Sequence, residues 1–507
     1  MLKSMLAVLG VAVLLALSPA AAAQTVKTKS GDVSGAAASG VISFKGIPFA
    51  APPVGDLRWM PPQPVKWSGV KQTTAIGAAC PQPDRGDGGG VGAPPAQNED
   101  CLTLNVYAPA GAKNLPVMVW IHGGAFRLGY GGAPLYDGSE FAKQGVILVT
   151  VNYRLGLLGF FAHPALTAAA KPNDPLGNYG LMDQIAALQW VHDNIAGFGG
   201  DPANVTAFGE SAGGSSMVYL LANPKAKGLF AKAIVESGGG LQRPVNLKDN
   251  EQRGLASAAN IGLAPTATLA DLKAKSAQDW IAAQGALQGG LGFGPFVDGR
   301  LVTEAPWQAF RDNRAADVPL LIGANSNEAS VLVTLGVPTA ALAAAAGPKL
   351  DEFRKLYGEA TPQEEFTRQA MGDIVFVAPS RWIAGAASSG APSYLYYFSY
   401  VAAARRSAVP GANHGSEIPY VFRTWINTPV LARLMNDADK AMSNLMSACW
   451  VAFAKTSKPS CAGAPDWPAY DPKTDQQLAF GIETKVEKPP RAAAFDLLVA
   501  QFMSTQR

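Results

Sequence analysis

Short runs of β-branched and apolar residues recur along this chain, and each ends in a polar or Gly-rich turn. Val117-Met118-Val119-Trp120-Ile121 runs into His122-Gly123-Gly124, and Val146 to Val151 runs into Asn152-Tyr153-Arg154. Val205 to Phe208 ends at Gly209, and Ala233 to Val235 ends at Glu236-Ser237-Gly238. Val318 to Ile322 leads to Gly323-Ala324-Asn325, and Tyr394 to Tyr400 leads to a loop reaching Asn413-His414-Gly415. Apolar runs this short and this continuous predict strands buried on both faces. Between them lie helical patterns, such as 181–195 with Leu181, Ile185, Leu188 and Val191 or Ile195 on one side. Strands alternating with helices predict βαβ units, hence an α/β fold with a central, mostly parallel sheet flanked by helices. Ligands of such sheets sit beyond the carboxyl ends of the strands, where the polar turns collect here. Residues 244–315 and 336–390 read as helices and loops inserted above the sheet, the walls of a gorge. Neither an internal repeat nor a long charged or Ser-rich linker divides the chain, so 24–507 is expected to be a single enlarged α/β domain.

The first 23 residues read as an export leader. Lys3 precedes an apolar run from Met5 to Leu17, and Ala21-Ala22-Ala23 supplies small residues for cleavage before Gln24. A membrane span needs roughly 20 residues, more than this run has, and no later run is long enough. The chain is therefore expected to be periplasmic or secreted, without a membrane span. Lys plus Arg is 41 against 38 for Asp plus Glu, a net charge of +3 that leaves no electrostatic footprint for nucleic acid. With 48% hydrophobic and 16% charged residues, global disorder is excluded as well. Four cysteines in an exported chain favour disulfides. Of the three possible pairings, the most local joins Cys80 to Cys101 and Cys449 to Cys461, the first closing the Gly- and Pro-rich loop 81–100. No C-x-x-C pair exists and only four histidines are present, so no metal site is expected.

Gly209-Glu210-Ser211-Ala212-Gly213 is the one G-x-S-x-G match in the chain, a pattern that this Gly and Ser content produces ~0.3 times by chance. Its context gives it weight. A strand precedes it and a helix-compatible run, Ser215 to Leu221, follows, so the turn lifts the Ser211 hydroxyl above the sheet as a nucleophile. A hydroxyl needs a base. His192 falls on a helix beside Trp190, His122 sits inside a Gly-Gly turn, and His163 follows Phe160-Phe161 in a loop. His414, in the loop after the last apolar strand, is the candidate base. An acid between 211 and 414 is then required, and Glu328, just beyond the strand 318–322, is the choice, with Asp373 as runner-up. Asp317 stands at the wrong end of its strand, and Glu210 reads as electrostatic or structural with its side chain turned elsewhere. Gly123, Gly124 and Ala212 offer backbone N–H groups for an oxyanion.

Longer motifs carry a resemblance. Phe44-Lys45-Gly46-Ile47-Pro48-Phe49-Ala50, Glu99-Asp100-Cys101-Leu102-Thr103-Leu104-Asn105 and Asn178-Tyr179-Gly180-Leu181-Met182-Asp183-Gln184 stand in order before the serine turn. Phe198-Gly199-Gly200-Asp201-Pro202 leads into it, and Ala412-Asn413-His414-Gly415-Ser416-Glu417 and Trp467-Pro468-Ala469-Tyr470 follow. In these the chain resembles the type B carboxylesterases, the bacterial and cholinesterase-like enzymes of the α/β-hydrolase fold, over nearly its whole mature length. The resemblance implies Ser211, Glu328 and His414 as a triad, Gly123, Gly124 and Ala212 as the oxyanion hole, and a Cys80–Cys101 disulfide. It implies ester hydrolysis through an acyl-enzyme on a small-molecule substrate, with no cofactor. The family places Gly after the acid where Ala329 stands here, and loop 81–100 holds no Trp, which argues against choline esters. Arg127, directly after the oxyanion loop, and Arg405-Arg406, before His414, suggest an anion-binding rim for esters bearing free carboxylates, such as the tricarballylate esters of fumonisin-type toxins. The alternatives are an amide, β-lactam or lipid ester hydrolase, or a non-catalytic recognition domain of the cholinesterase-like type. Oligomeric state is not legible.

Overall fold

The apolar runs become the middle of one large sheet. A computed structural model describes residues 24–84, 92–172, 174–285 and 293–506; the expected leader, 1–23, lies outside the described residues. Fourteen strands are seen among them. The first five are β1 (Thr25–Lys27), β2 (Asp32–Ser34), β3 (Ala36–Ala38), β4 (Val41–Pro48) and β5 (Val70–Gln72). Next come β6 (Thr103–Pro109), β7 (Leu115–Ile121), β8 (Ile147–Val151), β9 (Gly200–Glu210) and β10 (Lys232–Glu236). The last four are β11 (Leu320–Asn325), β12 (Ser393–Phe398), β13 (Gln477–Phe480) and β14 (Thr484–Glu487). Strands β1, β2 and β5 form a small separate sheet, and the large one has the order β14-β13-β12-β11-β10-β9-β7-β8-β6-β4-β3. From β8 to β13 every neighbour is parallel, and the antiparallel pairings lie at the two edges.

All residues of β8, β10, β11 and β12 are buried, as helix-covered parallel strands require. Beneath the sheet's middle, Trp120 packs edge-on against Phe208 at 4.8 Å and Phe422 at 4.9 Å. Register then places the strand ends side by side. Ile121 pairs with Gly209, Glu210 with Glu236, Glu236 with Gly323, and Asn325 with Phe398. The turns that leave β7, β9, β10, β11 and β12 consequently open onto one edge of the sheet, the edge where parallel α/β sheets bind ligands.

Residues 244–315 and 336–390 contain helices and, among the described residues, no strand. Sulfur–sulfur bonds join Cys80 to Cys101 and Cys449 to Cys461, with Cα atoms 5.0 and 4.9 Å apart. Among the described residues no helix is long and apolar enough to cross a membrane.

Candidate active site

Strand β9 ends at Glu210, and Ser211 turns the chain into the helix Ala212–Ala222 with φ 57° and ψ −120°. A residue with a Cβ holds such angles at a cost of ~1–3 kcal/mol, so its surroundings must impose them. The Ser211 N–H donates to the Glu236 carbonyl at 2.9 Å, and its carbonyl accepts from the Ser215 N–H at 2.7 Å. Gly213 permits the close helix–strand contact behind the turn, because a Cβ there would fall 1.9 Å from the Ile121 carbonyl oxygen.

The loop after β7 folds over this serine. A Cβ on Gly123 would lie 3.0 Å from the Ser211 Cβ and 2.7 Å from Glu210 Oε2, so only glycine lets the backbone come this near. Tyr153 donates its hydroxyl to the His122 carbonyl at 2.8 Å and stacks on the His122 ring, fixing the loop's entry. The His122 Nδ1 lies 2.8 Å from the Gly123 carbonyl, and burial pushes the ring down to about 4 against that hydrogen bond. His122 is thus a neutral structural group. The N–H groups of Gly123, Gly124 and Ala212 donate to no backbone or side-chain acceptor among the described residues.

His414 arrives on the loop after β12, and that loop is tied to the one after β11. Asn327 N–H donates to the Ala412 carbonyl at 2.8 Å, Asn327 Nδ2 to Asn413 Oδ1 at 2.7 Å, and Asn325 Nδ2 to the Asn413 carbonyl at 2.9 Å. The His414 N–H itself donates to Ser330 Oγ at 3.0 Å. Through these ties the His414 Nδ1 meets Glu328 Oε2. The other Glu328 oxygen accepts from Ser237 Oγ and from the Asn325 N–H, both at 2.6 Å. Phe376 packs on the imidazole, ring centroids 4.8 Å apart. The His414 Nε2 lies 3.1 Å from Glu210 Oε1 yet makes no hydrogen bond among the described residues.

Four buried glutamates lie at this end of the sheet, Glu210, Glu236, Glu328 and Glu417, and the charges of Glu210, Glu328 and Glu417 act on the ring. Burial would lower His414, but the carboxylates of Glu210 and then Glu328 outweigh it and push the ring up to about 9. Burial pushes Glu210 up to about 7, with the His414 charge opposing. It pushes Glu236 up to about 8, although Trp450 Nε1 donates to it at 2.8 Å, and it raises Glu417 well above the usual range. The side chain of Glu210, expected from sequence to turn elsewhere, faces His414. The strand register explains this, because the residue before Ser211 is the last in β9 and sits over the sheet's open edge.

The runner-up acid, Asp373, is occupied elsewhere. Arg491 Nε and Nη2 hold it at 2.5 and 2.9 Å, and Tyr357 donates to it at 2.7 Å. It starts the π-helical turn Asp373–Val377, which carries Phe376 to the His414 ring. His163 caps a short helix by accepting from the Ala165 N–H at 3.1 Å, and His192 is exposed.

Ser211 opens into a cleft of about 890 Å³ including its mouth. Ala125 and Phe126 line it from the loop after β7, Asn250 and Phe293 from residues 244–315, and Val375 and Phe376 from residues 336–390. Arg127, Arg405 and Arg406 are absent from the described lining. Ala125 and Phe126 have φ of 54° and 58°, and this left-handed bend buries Arg127, whose Nη2 donates to the Gly285 carbonyl at 2.9 Å beneath the Phe293 ring. Arg405 and Arg406 are exposed, and Arg406 Nε donates to the Val401 carbonyl at 3.0 Å. The arginines that do line the cleft are Arg243 and Arg253, which no sequence motif marks.

Comparison with known proteins places this chain among relatives. The model of the carboxylesterase family matches residues 22–357 and 354–498. The para-nitrobenzyl esterase of Bacillus subtilis (strain 168) is 39% identical over 490 residues, covering 92% of this chain and 97% of that protein. The fumonisin B1 esterase of Sphingopyxis macrogoltabida is 37% identical over 474 residues, covering 90% of this chain and 86% of that one. Among solved structures, a PNB esterase superposes with a TM-score of 0.81 at 38% identity, over 94% of this chain and 99% of its own.

Proposed function

The chain belongs to the carboxylesterase family, and we propose that it hydrolyses small-molecule carboxylic esters through an acyl-enzyme on Ser211. The observation that carries this reading is the oriented imidazole: His414 is held at Nδ1 by Glu328 while its Nε2 has no hydrogen-bond partner among the described residues. His414 Nε2 takes the Ser211 proton as the hydroxyl oxygen attacks the ester carbonyl. The N–H groups of Gly123, Gly124 and Ala212 receive the oxyanion, each such donor contributing ~3 kcal/mol to the transition state. His414 then gives its proton to the departing alcohol, and water repeats the sequence on the acyl-enzyme. Glu328 holds the ring in its tautomer and stabilises its charged form.

The catalytic domain on this reading begins after residue 23, with 244–315 and 336–390 as the walls of its cleft. The leader pattern and the two disulfides support an exported protein; amino-terminal sequencing of the secreted chain should begin at Gln24. The enzymatic reading is tested by turnover of 4-nitrophenyl acetate and by covalent labelling with an organophosphate. Wild type should do both and Ser211→Ala neither. Full turnover by Ser211→Ala would end the proposal.

A further inference from the structure

We infer that the cleft selects esters bearing a free carboxylate, and that Arg243 and Arg253 bind that carboxylate. The inference rests on the reading of Ser211 as the nucleophile and adds the class of substrate it takes. Among the described lining residues, Arg243 and Arg253 are the only ones with a formal charge, and that lining holds no Asp or Glu. Both side chains are exposed, and neither makes an ion pair or a side-chain hydrogen bond among the described residues. Many other arginines of the molecule are paired: Arg58 with Glu99, Arg154 with Asp183, Arg381 with Asp475 and Arg491 with Asp373. The acid nearest Arg253 in sequence, Glu251, is engaged by the Thr167 hydroxyl at 2.5 Å.

Two cations without ion-pair partners among the described residues, on an otherwise uncharged wall, give the cleft a positive potential. A guanidinium offers a planar fork that matches a carboxylate, and the contact strengthens where aromatic walls exclude water. Phe126, Phe293 and Phe376 supply such walls here. Gln242 and Asn250, also in the lining, add neutral groups able to complete the carboxylate's hydrogen bonds. Arg243 comes from the loop after β10 and Arg253 from the helix Leu247–Ala259, so two separate segments bring positive charge to the cleft that Ser211 lines.

Matched ester pairs test this. Mono-4-nitrophenyl glutarate against 4-nitrophenyl pentanoate puts the carboxylate on the acyl side, and 4-acetoxybenzoate against its methyl ester puts it on the alcohol side. For at least one pair, Arg243→Gln/Arg253→Gln should lower kcat/KM for the anionic member ~10-fold more than for the neutral one. Added salt should lower the anionic rate of wild type selectively. The responding pair identifies which side carries the charge. Equal losses on both members of both pairs, or no loss, would overturn the inference while leaving the esterase reading intact, because turnover of the neutral esters reports both folding and chemistry. A wild type that cleaves none of the four refutes the nucleophile and the selectivity together.

Discussion

Glu210→Gln is the sharpest perturbation of the site, because it removes one charge and almost no volume. The lost oxygen charge stands 3.1 Å from the His414 Nε2. Two unit charges at that separation interact by ~5 kcal/mol at an effective dielectric of ~20, equivalent to ~4 pH units at 1.36 kcal/mol each. That is a ceiling. The ring rises only from 6.5 to about 9 with burial opposing, and Glu328 and Glu417 share the effect. Glu210 is itself pushed up to about 7, so near neutrality it carries part of a charge. A downward move of ~1–2 pH units for His414 is therefore expected.

The assay is the pH profile of kcat/KM for 4-nitrophenyl acetate at constant ionic strength, whose acid limb reports the base of the free enzyme. In the proposed mechanism neutral His414 is the working form, so a lower ring value extends activity to lower pH. The same change weakens the base, and the plateau should fall by ~10-fold or less. An acid limb that stays in place, or moves to higher pH, would refute the electrostatic role given to Glu210. A plateau collapse as deep as that of Ser211→Ala would refute it too, since it would make Glu210 part of the chemistry itself.

Four further outcomes follow from the same geometry. Glu328→Gln should lower kcat by ~10³–10⁴-fold with KM little changed, because the ring loses its tautomer control while the cleft keeps its shape; steady-state kinetics reads this. Gly123→Ala places a methyl group 3.0 Å from the Ser211 Cβ and 2.7 Å from Glu210 Oε2, and should cost ~10²-fold or more in kcat. From pH 4.5 to about 7 on Glu210, and to about 8 on Glu236, the folded protein keeps protons that the unfolded chain has released, so stability should fall as pH rises, by at most ~1.4 kcal/mol per pH unit for each group. Glu236→Gln should flatten that slope in urea titrations. Replacing Cys80 and Cys101 by Ser opens a crosslink of sequence separation 21 and should cost ~3 kcal/mol in the same titrations.

Much of the frame was legible because it depends on local pattern. The run 205–208 marks β9, although the strand covers Gly200–Glu210, since Gly200 pairs with Leu115 ahead of a register shift and Gly209 pairs with Ile121 beyond the run. The helix expected at 215–221 begins at Ala212, because the strained serine turn leaves no room for a linker. The cleft wall was less legible. Arg127 follows the oxyanion loop in sequence but is turned inward by two left-handed residues, a backbone event that Ala125 and Phe126 do not announce. Arg243 and Arg253 reach the cleft through the placement of a whole inserted helix, which periodicity cannot specify. Asp373 is held by Arg491, a partner more than a hundred residues along the chain that local pattern does not disclose.

The glutamates show how the fold distributes chemistry that no motif contains. Glu210 and Glu236 end two neighbouring strands, Glu328 follows a third, and Glu417 follows His414, so parallel register gathers four buried acids at one edge of the sheet. Burying several carboxylates together is unfavourable unless each finds donors or keeps its proton. The donors are unequally shared. Glu328 receives Ser237, the Asn325 N–H and His414, whereas Glu210, Glu236 and Glu417 each keep one oxygen without a hydrogen bond among the described residues. Those three are the acids that burial raises. The supply of donors thus separates the carboxylate that orients the imidazole from those that set the potential around it. Moving Ser237 or Asn325 should disturb that division as surely as changing an acid.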